Sequence, residues 1–476
     1  MIVLIVANFM DLMDTTVVNV ALPSMQRGLG ASAAQLEWIV GGYTLGLVGA
    51  LVLGGRLGDL VGRRSVFLVG VIGFTAASLL AAAAPDAGVL IAARAVQGIF
   101  AGAMVPQVLA NVQVLYSPRE RAAVYGLVGL ITGSASVIGP VLSGWLISID
   151  AFGIGWRSIF AINVPIGILL AIAAAIVVPN SRSDRPSRLD VLGALLVTTA
   201  VLCLVLPLID GRQQGWPVWS WVVLGASPVL FAGFILWEAR VEKRGVPLIP
   251  LHLFRNRGYV AGSAVNLFFQ AGLVGFFLFF TIYLQSAVGY SPVQAGLSWL
   301  GFSLGTLAGS IVAVQLTPRL GRRLVTIGAA MAALGVVWLL LAASDPSVGV
   351  APNGWDFVGG LVLGGLGMGL LIVPLFDLTL EAVPTADAGA ASGALSTIQQ
   401  IGGALGVAAI GAVFYSIAGA SPDASTLATA LHGAAWGCVL AFAAAAMASL
   451  VLRARAPHDL EDSEFDSADS LAAPDA

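Results

Sequence analysis

Long apolar stretches follow one another through nearly the whole chain, and that succession decides what it can fold into. They fall at about 2–23, 36–56, 65–84, 88–112, 122–148, 158–178, 190–208, 218–237, 259–286, 293–316, 324–343, 356–378, 389–418 and 428–452, divided by Pro, Gly or charged residues. Each is long enough to cross a hydrocarbon core of about 30 Å as a helix rising about 1.5 Å per residue. In lipid only helices and closed barrels satisfy their own backbone amides, and these runs lack a barrel strand's alternation. The expected fold class is an all-α integral membrane protein with fourteen transmembrane helices. Composition agrees, since 58% of the 476 residues are hydrophobic and 10% charged, against about 25% charged in a soluble domain.

Charge placement orients the helices. With the N-terminus inside, eighteen Lys and Arg fall in cytoplasmic segments, while Arg27, Arg157 and Arg212 fall outside and Arg94 within a span. The positive-inside rule then puts both termini in the cytoplasm. Arginine outnumbers lysine 21 to 1, the habit of a GC-rich bacterial genome, so a bacterial cytoplasmic membrane is the expected location. The first run lacks a basic leader region and reads as a retained anchor. With no basic domain, nucleic acid is not an expected partner. Cys203 and Cys438 sit in apolar runs and read as small core residues, and His252, His432 and His458 are isolated, so no metal site is expected. Residues 453–476 are acidic and polar and read as a disordered tail.

The chain repeats itself. GGRLGDLVGRRSVFLVG (54–70) follows the second run and LTPRLGRRLVTIG (316–328) the tenth, each a Gly-Arg-Arg turn at the same place in a six-helix half. Such repeats build a transport site where two bundles meet. The expected units are a first bundle at 1–180, two inserted helices with a basic linker at 181–257, and a second bundle at 258–452.

Polar residues inside the first run carry the chemistry. Asn8, Asp11, Thr15 and Asn19 are spaced by three, four and four, which places them on about a quarter of a helix's circumference, with Asp14 about 60° to one side. Carboxyls at membrane depth are costly and are kept where they face a cavity, a partner or water. Asp11 and Asp14 repel if both ionise, and one that binds a proton from one side and releases it to the other is what a proton-coupled carrier needs. Arg94 needs a partner too. By helix rise it lies about 9 Å below the outer edge and Asp14 about 10 Å, so an electrostatic influence between Arg94 and a span-1 acid is expected; Gln97 or a carbonyl are rival partners. Asp59, at the inner end of the second run, can accept from a neighbouring helix N-terminus or pair with a cation, and with Gly55, Gly62, Arg63 and Arg64 forms the expected gate. Gly139 and Pro140, with Gly144, give a bent, thin helix face. Asp377 and Glu381 share a face near the cytoplasmic edge, suited to a gate contact or solvated surface.

Four stretches in order resemble the major facilitator superfamily, and within it the fourteen-span drug/proton antiporters that export quaternary ammonium compounds, dyes and antibiotics. LMDTTVVNVALP (12–23) is similar to the acidic span-1 signature, with Asp14 in the acidic place. Residues 55–64 resemble the cytoplasmic 2–3 loop, LIAARAVQGIFAGA (90–103) the span-4 motif with its arginine, and SVIGPVLSG (136–144) the Gly-Pro antiporter motif, with Ser143 where glycine is usual. The resemblance implies two six-helix bundles with two extra central helices. It also implies a proton-driven exporter of amphipathic, cationic or zwitterionic molecules, working by alternating access with no cofactor beyond the proton gradient, as a monomer in the lipid bilayer. Proton coupling would involve Asp14, Asp11 and Arg94, with Asp14 favoured by the motif and Asp11 left open by the residues themselves. Cavity candidates are Asn8, Thr15, Asn19 and Gln97. A dedicated exporter of one metabolite, such as an antibiotic, siderophore or lipid precursor, fits the same pattern, and an uptake symporter fits it less well. No nucleophile–base pair or nucleotide loop suggests an enzyme.

Overall fold

A computed structural model describes residues 2–116, 153–182, 190–211, 214–243, 247–290, 292–343, 354–381, 383–384, 387–418 and 424–452, with scattered positions from 120 to 150. Among these residues every regular element is helical. The first bundle contains α1 (Ile2–Leu29), α2 (Ala33–Val61), α3 (Arg63–Ala82), α4 (Ala87–Leu115) and α5 (Asn163–Val177). Then come α6 (Val191–Leu206) and α7 (Val218–Glu242). The second bundle contains α8 (Arg257–Ser286), α9 (Leu300–Leu320), α10 (Arg322–Ala342), α11 (Gly354–Glu381), α12 (Ala388–Ala418) and α13 (Ala424–Ser449).

Eleven helices among the described residues are long and apolar enough to cross a membrane. Of the remaining expected runs, the first lies in the 28-residue α1 and the seventh in the 16-residue α6. The fifth falls largely outside the described residues, as do Pro140, Gly144 and the tail from 453 onward. Large apolar side chains face outward where a soluble protein would hide them, with Ile176 77% and Leu341 72% exposed. That surface suits acyl chains rather than water.

Local sequence explains where the helices start. Ser32 and Gln35 form a capping box at α2, and Asp86 accepts from the Val89 amide at 2.9 Å to open α4. Gly62 holds φ at +114° between α2 and α3, and Gly321 φ at +45° between α9 and α10, so both Gly-Arg-Arg turns use a backbone that side chains rarely adopt.

The two halves share one packing device. A Cβ added at Gly54 of α2 would lie 2.3 Å from the Gly102 carbonyl of α4, and one at Gly305 of α9 would lie 2.3 Å from the Val362 carbonyl of α11. Small residues therefore let the equivalent helices cross backbone to backbone. The inserted α6 leans on α2, where Thr198 donates to the Gly49 carbonyl at 3.0 Å, and α7 joins α6 through Ser227 and the Ala200 carbonyl at 2.8 Å. Val48 and Val52 of α2, Val197 and Val201 of α6, and Ala394 of α12 share one buried cluster, so the inserted pair sits over the seam between halves.

Candidate functional site

A cavity of about 450 Å³ lies between the bundles. From α1 come Asn8, Asp11, Leu12, Thr15 and Thr16, and from α2 Tyr43 and Thr44. The opposite wall carries Gln270, Phe277, Phe302, Phe376, Gln399 and Gln400. One wall is rich in hydroxyls and the other in aromatic rings and amides. Asp11 is the only charged residue among the described lining side chains. It is 5% exposed, and the Tyr43 hydroxyl donates to its carboxylate.

Asp14 turns away from this space. The 100° step per residue that puts Asn8, Asp11 and Thr15 on the cavity face rotates Asp14 into the bundle. There the Arg94 guanidinium donates to one carboxylate oxygen, while Gln97 at 3.0 Å and Asn163 at 2.8 Å donate to the other. Arg94 in turn donates to the Gln97 side-chain oxygen at 2.7 Å and, through Nε, to the Ile39 carbonyl at 3.2 Å. Its guanidinium carbon lies 4.2 Å from the Tyr43 ring centre and 5.8 Å from that of Phe160. Each charge is therefore compensated by an opposite charge, by hydrogen bonds and by ring faces, as burial demands. The network binds α1, α2, α4 and α5 into one unit.

Where α2 ends, Asp59 reaches across to the second half. Its carboxylate accepts from the amides of Gly389 at 3.1 Å and Ala390 at 2.9 Å, the first turn of α12, and from Arg63 at 2.6 Å. Negative charge at a helix N-terminus is stabilised by the unpaired amides and the helix dipole. Beside it a Cβ at Gly55 would lie 2.3 Å from the Gly389 carbonyl, so the two helices touch through bare backbone. Gln113 of α4 adds a second crossing bond, to the Leu380 carbonyl at 2.5 Å. The halves are thus closed on the side of the Gly-Arg-Arg turns. Arg64 stays within its own half and donates to the Ala175 carbonyl at 3.3 Å, near the end of α5. Its repeat partner region does the same, with Arg322 donating to the Leu450 and Leu452 carbonyls at 3.0 Å just past α13.

Residues 4–407 match the Major Facilitator Superfamily. The chain belongs to that superfamily. It is 40% identical over 425 residues to the probable actinorhodin transporter of Streptomyces coelicolor, covering 89% of this chain and 73% of the relative. It is 35% identical over 483 residues to the puromycin resistance protein pur8 of Streptomyces alboniger, covering 98% and 92%. Among solved structures, the proton:xylose symporter XylE superposes with a TM-score of 0.65 at 15% identity, covering 93% of each chain, a likeness of fold alone. As a superfamily member with apolar spanning helices, the protein is a multi-pass membrane transporter.

Several side chains sit differently from their sequence reading. Gln97 does not line the cavity, because it is fully buried in the ion-pair network and also donates to Ser78 at 2.9 Å. Its place one turn from Arg94 makes it a second support for Asp14 rather than a substrate contact. Asn19 lies in α1, but its side chain is outside the described residues. Gly139 faces α1, where an added Cβ would lie 1.9 Å from the Thr16 hydroxyl. Ser143, in the glycine position of the motif, donates to the Val17 carbonyl at 3.0 Å, so it bonds to α1 instead of loosening the contact. Asp377 is buried while Glu381 is exposed, so of the two only Glu381 fits the solvated surface expected of them. His252 is not isolated: its ring nitrogens lie 3.6 Å from Glu242 and 3.3 Å from Asp387. Among the described residues no group of His, Cys, Asp or Glu is arranged to hold a metal.

Sequence reading missed Tyr43, Asn163 and Ser78. Asn163 and Ser78 are fully buried polar residues in apolar runs, which is the available signal, since such a group needs a partner.

Proposed function

We propose that this protein exports amphipathic, cationic or zwitterionic drugs or metabolites from a bacterial cell in exchange for protons. The observation that carries the reading is the interhelical cavity whose single described charge is Asp11. A negative wall facing aromatic rings suits a molecule with an apolar body and a cationic group, held by charge and by cation–π contact. Asp11 is the better proton carrier of the two acids. It meets the cavity, where water and substrate reach it, and its described hydrogen-bond partner is a neutral hydroxyl. Protonating Asp14 would instead strip the charge from its bond to Arg94. Protons and substrate then compete for Asp11: outward release of substrate follows proton entry, and deprotonation toward the cytoplasm resets the site.

The geometry is consistent with alternating access. The Asp59–α12 contact holds the cytoplasmic side shut in this state, and its release lets the halves rock about the cavity. The eleven apolar helices, with α1, α6 and the fifth run, support fourteen spans. In this reading residues 1–180 and 258–452 are the moving bundles and 181–257 an insertion. Both termini are cytoplasmic, the monomer suffices, and no cofactor beyond the proton gradient is needed. The relative named for actinorhodin supports a second reading, an exporter dedicated to a single metabolite.

The test is efflux of ethidium from everted vesicles with and without an imposed pH gradient, comparing the parent with Asp11→Asn and Asp14→Asn. Gradient-driven efflux in the parent, lost in Asp11→Asn, supports the reading. Efflux indifferent to the gradient, or untouched by both substitutions, overturns it.

A further inference from the structure

We propose that Tyr43 is the positioning residue that links the cavity acid to the buried ion pair. It touches both. Its hydroxyl donates to Asp11, and its ring carries the Arg94 guanidinium at 4.2 Å. It is 1% exposed, lines the cavity, and belongs to α2. The proposal rests on Asp11 being the coupling acid.

The groups that face this tyrosine are few. Asp11 and Asp14 approach from α1 and Arg94 from α4. Asn163 of α5 is neutral, and the polar groups of the opposite wall, Gln270, Ser396, Gln399 and Gln400, are neutral too. No further charge among the described lining residues competes for the hydroxyl.

The chemistry of the link is simple. A hydroxyl bonded to a carboxylate holds about twice as strongly as one bonded to a neutral carboxyl. When Asp11 takes up a proton, the anchor that fixes the Tyr43 ring weakens, and the ring is free to shift over the guanidinium. Arg94 is also tied to α2 one turn earlier, through the Ile39 carbonyl at 3.2 Å. A movement of α2 at Tyr43 is therefore felt by Arg94 at two points, its ring face and its Nε. The same helix ends in Asp59, about 24 Å further along at ~1.5 Å per residue, where it closes on α12. Proton arrival at the cavity and release of the cytoplasmic contact thus act on one rigid element, as coupling between distant sites requires.

Tyr43→Phe separates the two contacts, because it keeps the ring and removes the hydroxyl. In proteoliposomes, ethidium counterflow at equal pH measures rocking without net proton transfer, whereas ethidium accumulation against its gradient under an imposed pH difference measures coupling. Tyr43→Phe is expected to lose at least about tenfold more of the pH-driven accumulation than of the counterflow, inside the range that coupled sites show. Asp11→Asn serves as the control for the underlying reading. If Asp11→Asn is uncoupled but Tyr43→Phe drives accumulation like the parent, the tyrosine link is overturned and the proton site stands. If Asp11→Asn remains coupled, the proton-site reading itself fails. Equal losses of counterflow and accumulation in Tyr43→Phe also overturn the link, because the hydroxyl is then needed for binding, the fold or the stroke and not for coupling. Tyr43→Leu, which removes both contacts, is expected to lose counterflow too and to melt earlier than Tyr43→Phe.

Discussion

Asp59 accepts a hydrogen bond from the amide of Ala390 at 2.9 Å, although 331 positions of chain separate them. One carboxylate in the first half thereby terminates a helix of the second, next to a crossing where neither helix has a side chain to spare. A contact made of charge, dipole and bare backbone holds firmly when aligned and lets go entirely once the helices part.

Asp59→Asn should open that contact. Hydrogen bonds to a charged group are worth about 1.5–3 kcal/mol each, so the substitution shifts the balance of states toward the cytoplasm-open form. With a cysteine placed at Ser396 in the cavity wall, labelling by an impermeant maleimide in everted vesicles should rise about tenfold or more. Equal labelling in parent and variant would show that the closed side is held by something else.

Gly55→Ala should act on the same face by steric means. Its new methyl meets the Gly389 carbonyl at 2.3 Å, and crowding of this kind costs about 1–3 kcal/mol. The variant is expected to transport ethidium poorly while melting close to the parent, since the closed state alone is penalised. A melting point unchanged together with full transport would mean that the helices never approach this closely.

Asp14→Asn is predicted to be a stability variant. It leaves Arg94 buried beside a neutral amide, and breaking one side of a buried pair costs about 3–5 kcal/mol. Arg94→Met alone should be comparably harmful, whereas Asp14→Asn with Arg94→Met should recover much of the loss. Thermal unfolding in detergent, read as a double-mutant cycle, decides the matter; additive losses would contradict the pairing.

Asp11→Asn is predicted to melt like the parent, because the amide oxygen still accepts from Tyr43. Its loss should appear in pH-driven ethidium efflux only. A large fall in melting temperature would place Asp11 among the supports of the bundle instead.

Much of this arrangement was readable from the chain. The apolar runs announced the helices, and equal depth in the membrane linked Arg94 to an acid of the first run, which the fold shows to be Asp14. Asp59 was legible as an acceptor for a neighbouring helix start. The rotation of one helix against another was not, since a single sequence shows which residues share a face and not what that face meets. Gln97 was misread for that reason: one turn from Arg94, it could have pointed to the cavity, but the approach of α1 and α3 turned it inward. The motif likewise drew attention to Asp14, while Asp11, outside the motif, holds the cavity face. Tyr43 carried no signal at all, because an aromatic in an apolar run usually just fills space.

The arginines beyond the two glycine turns carry a mechanical meaning. Arg64 and Arg322 each staple the start of one helix to the finish of the last helix in the same half. Neither half can splay at the rim of its Gly-Arg-Arg turn without tearing that staple. In the proposed cycle, flexing inside a half would squander the stroke as heat in the lipid, so a stiff pair of levers would deliver the full swing to the joint that separates them.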